Sequence, residues 1–247
     1  MADNCCQTLI IGASFYGMAL AKCMNDALLI ERGYRIGTEF SASLRVNRFS
    51  GDVHSDFGKH FLDGIKKHRL IDETGAVYSA PAAYLLADMT RGVNAVFATE
   101  LLSVKKAAER YEVTIFNSEG KKIIYAERII DTTAVGAVRA GISGIKKKLN
   151  VILSSPKSAQ TVYDSFTEGN VFGFDAGLSE AMPEVRRRLY NYLEAGQGAV
   201  LIADEFDYEM PRIFERLEKD YLIIPSVGFN NPIEAADAGG GGITYEL

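Results

Sequence analysis

The stretch that most narrows what this chain can fold into is residues 8–32. Residues 8–11 are a short apolar run with the composition of a buried strand, and the run stops at Gly12, where the chain must turn sharply. Residues 17–24 carry a helical pattern, and residues 27–30 are a second apolar run that closes on Glu31. Two apolar strands joined through a helix make a parallel pair, because parallel strands need a crossover. The turn reads Gly12-Ala13-Ser14-Phe15-Tyr16-Gly17, and the acid follows the first glycine by about 20 residues, the spacing of a dinucleotide site.

Each position in that turn has a physical task. Gly12 permits the tight turn, residue 14 must be small so that backbone N–H groups can approach a pyrophosphate, and Gly17 lets the helix pack closely on the sheet. Ser14 stands where the motif has its second glycine, and its hydroxyl adds a group that can reach a phosphate oxygen. The free N–H groups and positive dipole end of the helix favour negative charge. Glu31 is placed to accept from ribose hydroxyls, and its charge argues against NADP, whose 2′-phosphate it would repel. The plainer alternative is an ordinary glycine-rich turn after a buried strand, which explains the glycines but not the acid at that distance.

A chain of 247 residues is long enough for a sizeable core in one or two domains, and 47% hydrophobic with 24% charged residues is ordinary for a soluble globular protein. A net charge of −5 gives no general attraction to nucleic acid or to an anionic membrane. No apolar run is long enough to span a bilayer and the N-terminus lacks the basic segment of a secretory signal, so a cytoplasmic location is expected. Cys5, Cys6 and Cys23 are expected as buried free thiols. Their number is odd, adjacent cysteines make a poor disulfide, and no metal-ligand spacing to a histidine is present.

Residues 33–75 have loop character with short apolar pieces and hold all three histidines, His54, His60 and His68. Arg32, Thr38 and Arg45 are the groups here that a flavin or a phosphate would recruit, the alternative being a solvated surface. His54, with glycine and serine neighbours, is the one weak candidate for a catalytic base, against a surface histidine. A short helix at 80–91, with Pro81 in its first turn, leads to a third strand at 94–99. Residues 101–105, 111–117 and 122–126 alternate as three successive hairpin strands, and residues 128–133 return to a buried, core-type strand.

That order of elements resembles the FAD domain of the glutathione-reductase-type flavoprotein superfamily. The matching parts are the glycine-turn βαβ unit ending in Glu31, the helix, the third strand with Thr99-Glu100-Leu101, the three-stranded meander, and the strand ending Asp131-Thr132-Thr133. The resemblance covers residues 5–140 and 221–242. It implies FAD as the cofactor, with its diphosphate beside Gly12, Ala13, Ser14, Phe15, Tyr16 and Gly17 and beside Thr132 and Thr133, its ribose on Glu31, and its adenine facing the backbone around Leu101. It further implies that a loop and helix start near the C-terminus approach the flavin, here with Asn231 as cap and Pro232 and Ile233 opening the helix. The Gly-Asp that the superfamily uses for the ribityl or diphosphate portion is replaced by Pro225-Ser226.

Residues 144–220 break the pattern, with strands expected at 149–154, 171–174 and 199–203 and helices at 183–195 and 209–219. The resemblance implies an inserted substrate domain in this place, small enough that its cleft is short or is completed by a second copy of the chain. The basic clusters at 146–148 and 186–188 read as solvated faces. The four glycines at 239–242 read as a helix terminator followed by a flexible tail or by backbone pressed against a ligand.

The expected fold class is therefore α/β. A Rossmann-like FAD-binding domain, a parallel sheet plus a three-stranded antiparallel meander, takes residues 1–143 and 221–247, and a small inserted α+β substrate or cap domain takes 144–220. The expected function is a flavin-dependent oxidoreductase that moves a hydride or electron pair between FAD and a small organic substrate. The alternative is a non-catalytic or regulatory nucleotide-binding protein that keeps the fold without flavin redox activity; Ser14, the missing Gly-Asp and the small insert favour it. An NAD-binding dehydrogenase is disfavoured by the meander. The expected partners are a small-molecule substrate and, in a homo-oligomer, a second copy of the chain, with no nucleic acid and no membrane.

Overall fold

The computed structural model describes residues 5–153, 171–193 and 199–242. The chain opens with β1 (Cys5–Ile11), α1 (Phe15–Cys23) and β2 (Ala27–Ile30), and β1 and β2 pair in parallel from Thr8 opposite Ala27 to Ile11 opposite Ile30. Then come α2 (Thr38–Ser41), α3 (Asp56–Lys67), α4 (Ser79–Met89) and the short β3 (Ala95–Val96), which adds in parallel to β2. The loop expectation for residues 33–75 is corrected by α3. Phe57, Phe61 and Ile65 recur every four residues and face the core, and Ser55 accepts from the Gly58 N–H as N-cap, a signal masked by the charged residues between them.

β4 (Glu100–Ala107), β5 (Arg110–Asn117) and β6 (Gly120–Asp131) pair antiparallel in succession. The two strands expected at 122–126 and 128–133 are one strand. Tyr125 and Ala126 are paired on both sides, to β5 and to β1, so β6 passes from the hairpins into the parallel sheet without a break. After α5 (Ala134–Arg139), a second sheet is built from β7 (Lys146–Leu153), β8 (Val171–Ala176), β9 (Ala199–Ile202) and β10 (Asp207–Glu209), all antiparallel to β7. It is backed by α6 (Met182–Tyr192), whose Val185 and Leu189 pack on Leu149, Val151 and Phe172 in a core of their own. Residue 154 of the expected strand and residues 194–195 of the expected helix lie outside the described residues.

The expected helix at 209–219 is replaced by a turn and β11 (Glu215–Glu218), which hairpins onto β12 (Tyr221–Ile223) in the first sheet. All four residues of β11 are exposed, so no apolar face exists for a helix to bury, and Pro211 withholds a backbone donor. The first sheet runs β11-β12-β6-β1-β2-β3, with β12, β6, β1, β2 and β3 parallel. α7 (Pro232–Gly240) closes the chain against α1 and α3.

One face of the parallel sheet buries Ile10 and Leu29 under α1, α3, α4 and α7; the other buries Leu9 and Ile11 under Tyr111, Val113 and Ile124 of the hairpins. Gly239 and Gly240 belong to this packing and not to a tail. A Cβ on Gly239 would lie 2.3 Å from the Tyr16 carbonyl oxygen, and one on Gly240 would lie 2.6 Å from Phe57 Cβ. Of the cysteines only Cys6 is buried, which pushes its thiol up to about 11, while Cys5 and Cys23 are exposed. Among the described residues no helix is long and apolar enough to cross a membrane.

Candidate functional site

The carboxyl ends of the parallel strands meet at Gly12. The chain leaves β1 towards β2 on one side while β6 lies on the other, so the turn sits where the strand order reverses, the place at which open α/β sheets bind ligands. Gly12 has φ +101°, and a Cβ there would meet Thr133 Cγ2 at 2.7 Å and Thr132 Oγ1 at 2.9 Å. A Cβ on Gly17 would lie 2.4 Å from the Gly12 carbonyl oxygen. Both glycines are thus required by close approach of β1, α1 and the end of β6.

A cleft of about 790 Å³ opens beside this turn, within the size range of small-molecule and cofactor sites. Gly12, Ala13, Ser14, Glu31, Arg32, Thr38, Leu101, Thr132 and Thr133 are all brought to its wall. Phe15, Tyr16 and Gly17 are buried behind it as the first turn of α1. Arg45 is turned away, its Nη1 donating to the Val227 carbonyl at 2.7 Å and its Nε lying 3.7 Å from the Asp207 carboxylate. Asn231 caps α7 by accepting from the Ile233 and Glu234 N–H groups and donates to the Arg48 carbonyl. Asn231, Pro232 and Ile233 are buried, so the start of α7 is sealed by the loop before α3 and does not reach the cleft. His54 does not reach it either: it is exposed, its backbone N–H donating to Asp237 of α7.

Glu31 Oε2 accepts from the Ala13 N–H at 2.7 Å and Oε1 from the Gly33 N–H at 2.6 Å. Each oxygen retains a further lone pair, so the carboxylate fits ribose hydroxyls without losing its fixed position. The Ser14 hydroxyl, by contrast, is spent inside the protein. Ser14 Oγ accepts from the Gly17 N–H at 2.9 Å and shares a hydrogen bond with Thr132 Oγ1 at 2.8 Å, the Thr132 hydroxyl also lying within reach of the Ile11 and Gly12 carbonyls.

Sequence reading missed Glu39 and Asp131. Glu39 Oε1 accepts from the Phe15 N–H at 2.8 Å and from Ser226 Oγ at 2.7 Å. Burial pushes its carboxyl up to about 7 despite those hydrogen bonds, and the Glu31 charge adds to the rise. Asp131 ends β6 beneath the turn, where burial pushes it up to about 6 against hydrogen bonds from the Thr133 N–H and hydroxyl. An acid in a four-residue helix after a glycine carries no sequence signal of its own, which is why Glu39 was not legible.

The far wall comes from the second sheet and its loops, with Lys147, Met182, Phe206 and Tyr208. The 146–148 cluster is not a solvated face. Lys147 is buried, lies 3.9 Å from the Phe206 ring centroid and donates to the Leu178 and Glu180 carbonyls; Lys148 pairs with Asp207 and Glu209. At the rim Arg32 pairs with Glu100 and Arg35 with Asp204.

This arrangement resembles the folds of solved flavoproteins. The chain is similar to the structure of a flavoprotein/dehydrogenase from Cytophaga hutchinsonii, with a TM-score of 0.52 and 16% identity over 96% of this chain and 76% of that one. It is similar also to CabE, an aromatic hydroxylase from angucycline biosynthesis (TM-score 0.53, 10% identity, 88% of this chain), of which it spans 55%. A third likeness is to the p-nitrophenol 4-monooxygenase PnpA from Pseudomonas putida (TM-score 0.50, 11% identity, 96% of this chain and 76% of that one). No protein-family model matches the chain, and no curated protein matches it.

Proposed function

We propose that the chain is a flavin-dependent oxidoreductase of the glutathione-reductase-type superfamily, with FAD in the cleft beside Gly12 and a small organic substrate against the second sheet. The observation that carries this reading is the convergence of Gly12, Glu31, Leu101 and Thr132–Thr133 on one cleft at the reversal point of a parallel sheet. Gly12 and Gly17 bring backbone close to the ligand, Glu31 holds the ribose, and the backbone around Leu101 borders the adenine. The flavin, when bound, supplies the capacity to take or give an electron pair. The residues of 144–220, as a cap, keep water from the reacting end, with Tyr208, Phe206 and Met182 offering an apolar wall.

The visible absorbance of the purified protein, before and after FAD and then dithionite, tests this reading. Flavin bands that remain after desalting and bleach on reduction support it; their absence with excess FAD counts against it. A second reading, a nucleotide-binding protein without redox activity, is favoured by the two carboxylates, Glu31 and Glu39, already bonded to the N–H groups of the turn. Adenosine binding without retained flavin would decide for it.

A further inference from the structure

The positions at which a helix N-terminus would hold a diphosphate are filled by the chain itself. Phe15 opens α1, and its N–H, the first of the helix's free donors, is bonded to Glu39. Of the neighbouring N–H groups, Ala13 donates to Glu31, Tyr16 to Ser226 Oγ at 3.5 Å, and Gly17 to Ser14. Glu39 is held there by two donors, the Phe15 N–H and the Ser226 hydroxyl. Gly37, at φ +64°, donates to the Ala13 carbonyl and admits the Phe15 ring, and the Ser226 hydroxyl donates to Glu39 from the turn that precedes α7. The dipole end that favours a bound anion therefore already has one.

We propose that Glu39 is an internal anion standing in the diphosphate position, so that the cleft admits a nucleoside diphosphate only when that carboxylate is neutral or displaced, and admits a phosphate-free nucleoside without that condition. This rests on the reading of the cleft as a dinucleotide site. Of the cations lining the cleft, Arg32 pairs with Glu100, Arg35 with Asp204 and Lys147 with two carbonyls, while Arg139 acts on Asp131. The charged group acting on Glu39 is Glu31, of like sign. The elements packed on α2 bring Asp207, Tyr208 and Glu209 from β10 and Tyr84 and Asp88 from α4, while the turn at 226–228 brings no charge. With its carboxyl raised to about 7, Glu39 gains and loses its proton near neutrality. Diphosphate binding then weakens as pH rises, by about tenfold per pH unit once the carboxyl is ionised.

The test is equilibrium titration of the wild-type protein and Glu39→Gln with FAD and with adenosine, at about pH 6 and about pH 8.5. Wild-type affinity for FAD is expected to fall roughly 30-fold between the two. Glu39→Gln keeps an acceptor for the Phe15 N–H and is expected to bind FAD at the higher pH as tightly as the wild type does at the lower. Adenosine is expected to bind both proteins alike at both values. A pH-independent wild-type affinity for FAD overturns the proposal, as does the same fall in Glu39→Gln; if that variant does not fold, the wild-type profile decides alone. Adenosine binding with no FAD binding by either protein at either pH also overturns it, while leaving a nucleoside site. If neither probe binds either protein, the dinucleotide reading fails and the proposal falls with it.

Discussion

The hydroxyls of Ser14 and Thr132 lie 2.8 Å apart, joining the start of α1 to the end of β6. Ser14 caps the helix and bonds to Thr132 at once, so Ser14→Ala removes two hydrogen bonds from a buried position. The expected loss is about 1–2 kcal/mol, read from the urea midpoint at unchanged slope. Thr132→Val, which removes the other half of that contact, should cost a similar amount, and the double variant less than the sum.

Gly239→Ala should be far more damaging than its small size implies. The new methyl would lie 2.3 Å from the Tyr16 carbonyl oxygen, so α1 and α7 must separate. A loss of about 2–4 kcal/mol is expected. Gly92→Ala provides the comparison: nothing lies within 4 Å, and only its φ of +85° opposes the change, at about 1 kcal/mol. Thermal denaturation of the two variants separates crowding from backbone strain.

Stability should fall as pH rises through neutrality. Glu39 and Asp131 carry folded-state pKa values raised to about 7 and about 6, so the stability they contribute is full below the ordinary carboxyl range and is lost as pH passes those values. Between about pH 4 and pH 8 the unfolding free energy should drop on the order of 5 kcal/mol, somewhat more than half of it from Glu39. Glu39→Gln with Asp131→Asn should flatten that slope; an undiminished slope in the double variant assigns the effect elsewhere.

His54→Ala is expected to leave flavin content and stability unchanged, because the side chain is exposed and the backbone N–H makes the contact with Asp237. Asp237→Ala should instead cost about 1–3 kcal/mol. Its carboxylate accepts from the His54 and Ser55 N–H groups and the Ser55 hydroxyl, tying the start of α3 to α7.

The first βαβ unit was legible because strand composition, turn glycines and the acid at Glu31 agree at every level. Gly12, Glu31, Leu101 and Thr132 meet at the cleft because each follows the carboxyl end of a strand or opens the next one, and strand ends are what a sequence marks best. α3 was not legible because its four apolar residues are diluted by charge. The start of α7 was read correctly as a cap, but its burial under Arg48 depends on a residue 183 positions away in the chain. Ser14 carries the same lesson. Its partner is settled by Thr132, 118 residues on, and no local pattern announces a hydroxyl that faces inward.

β6 serves the hairpins with its first half and the parallel sheet with its second, and β12 then covers its other edge. During synthesis β1 emerges first and waits for a neighbour whose closing contact, Thr132 to Gly12, spans 120 residues. At ribosomal speeds of about 5–20 residues per second, the earliest strand stays half-paired for several seconds. The sheet edge is finished only once residues 221–223 have been made. A nascent chain stalled before that point would expose a long, apolar strand edge, and that intermediate is the form a chaperone would meet.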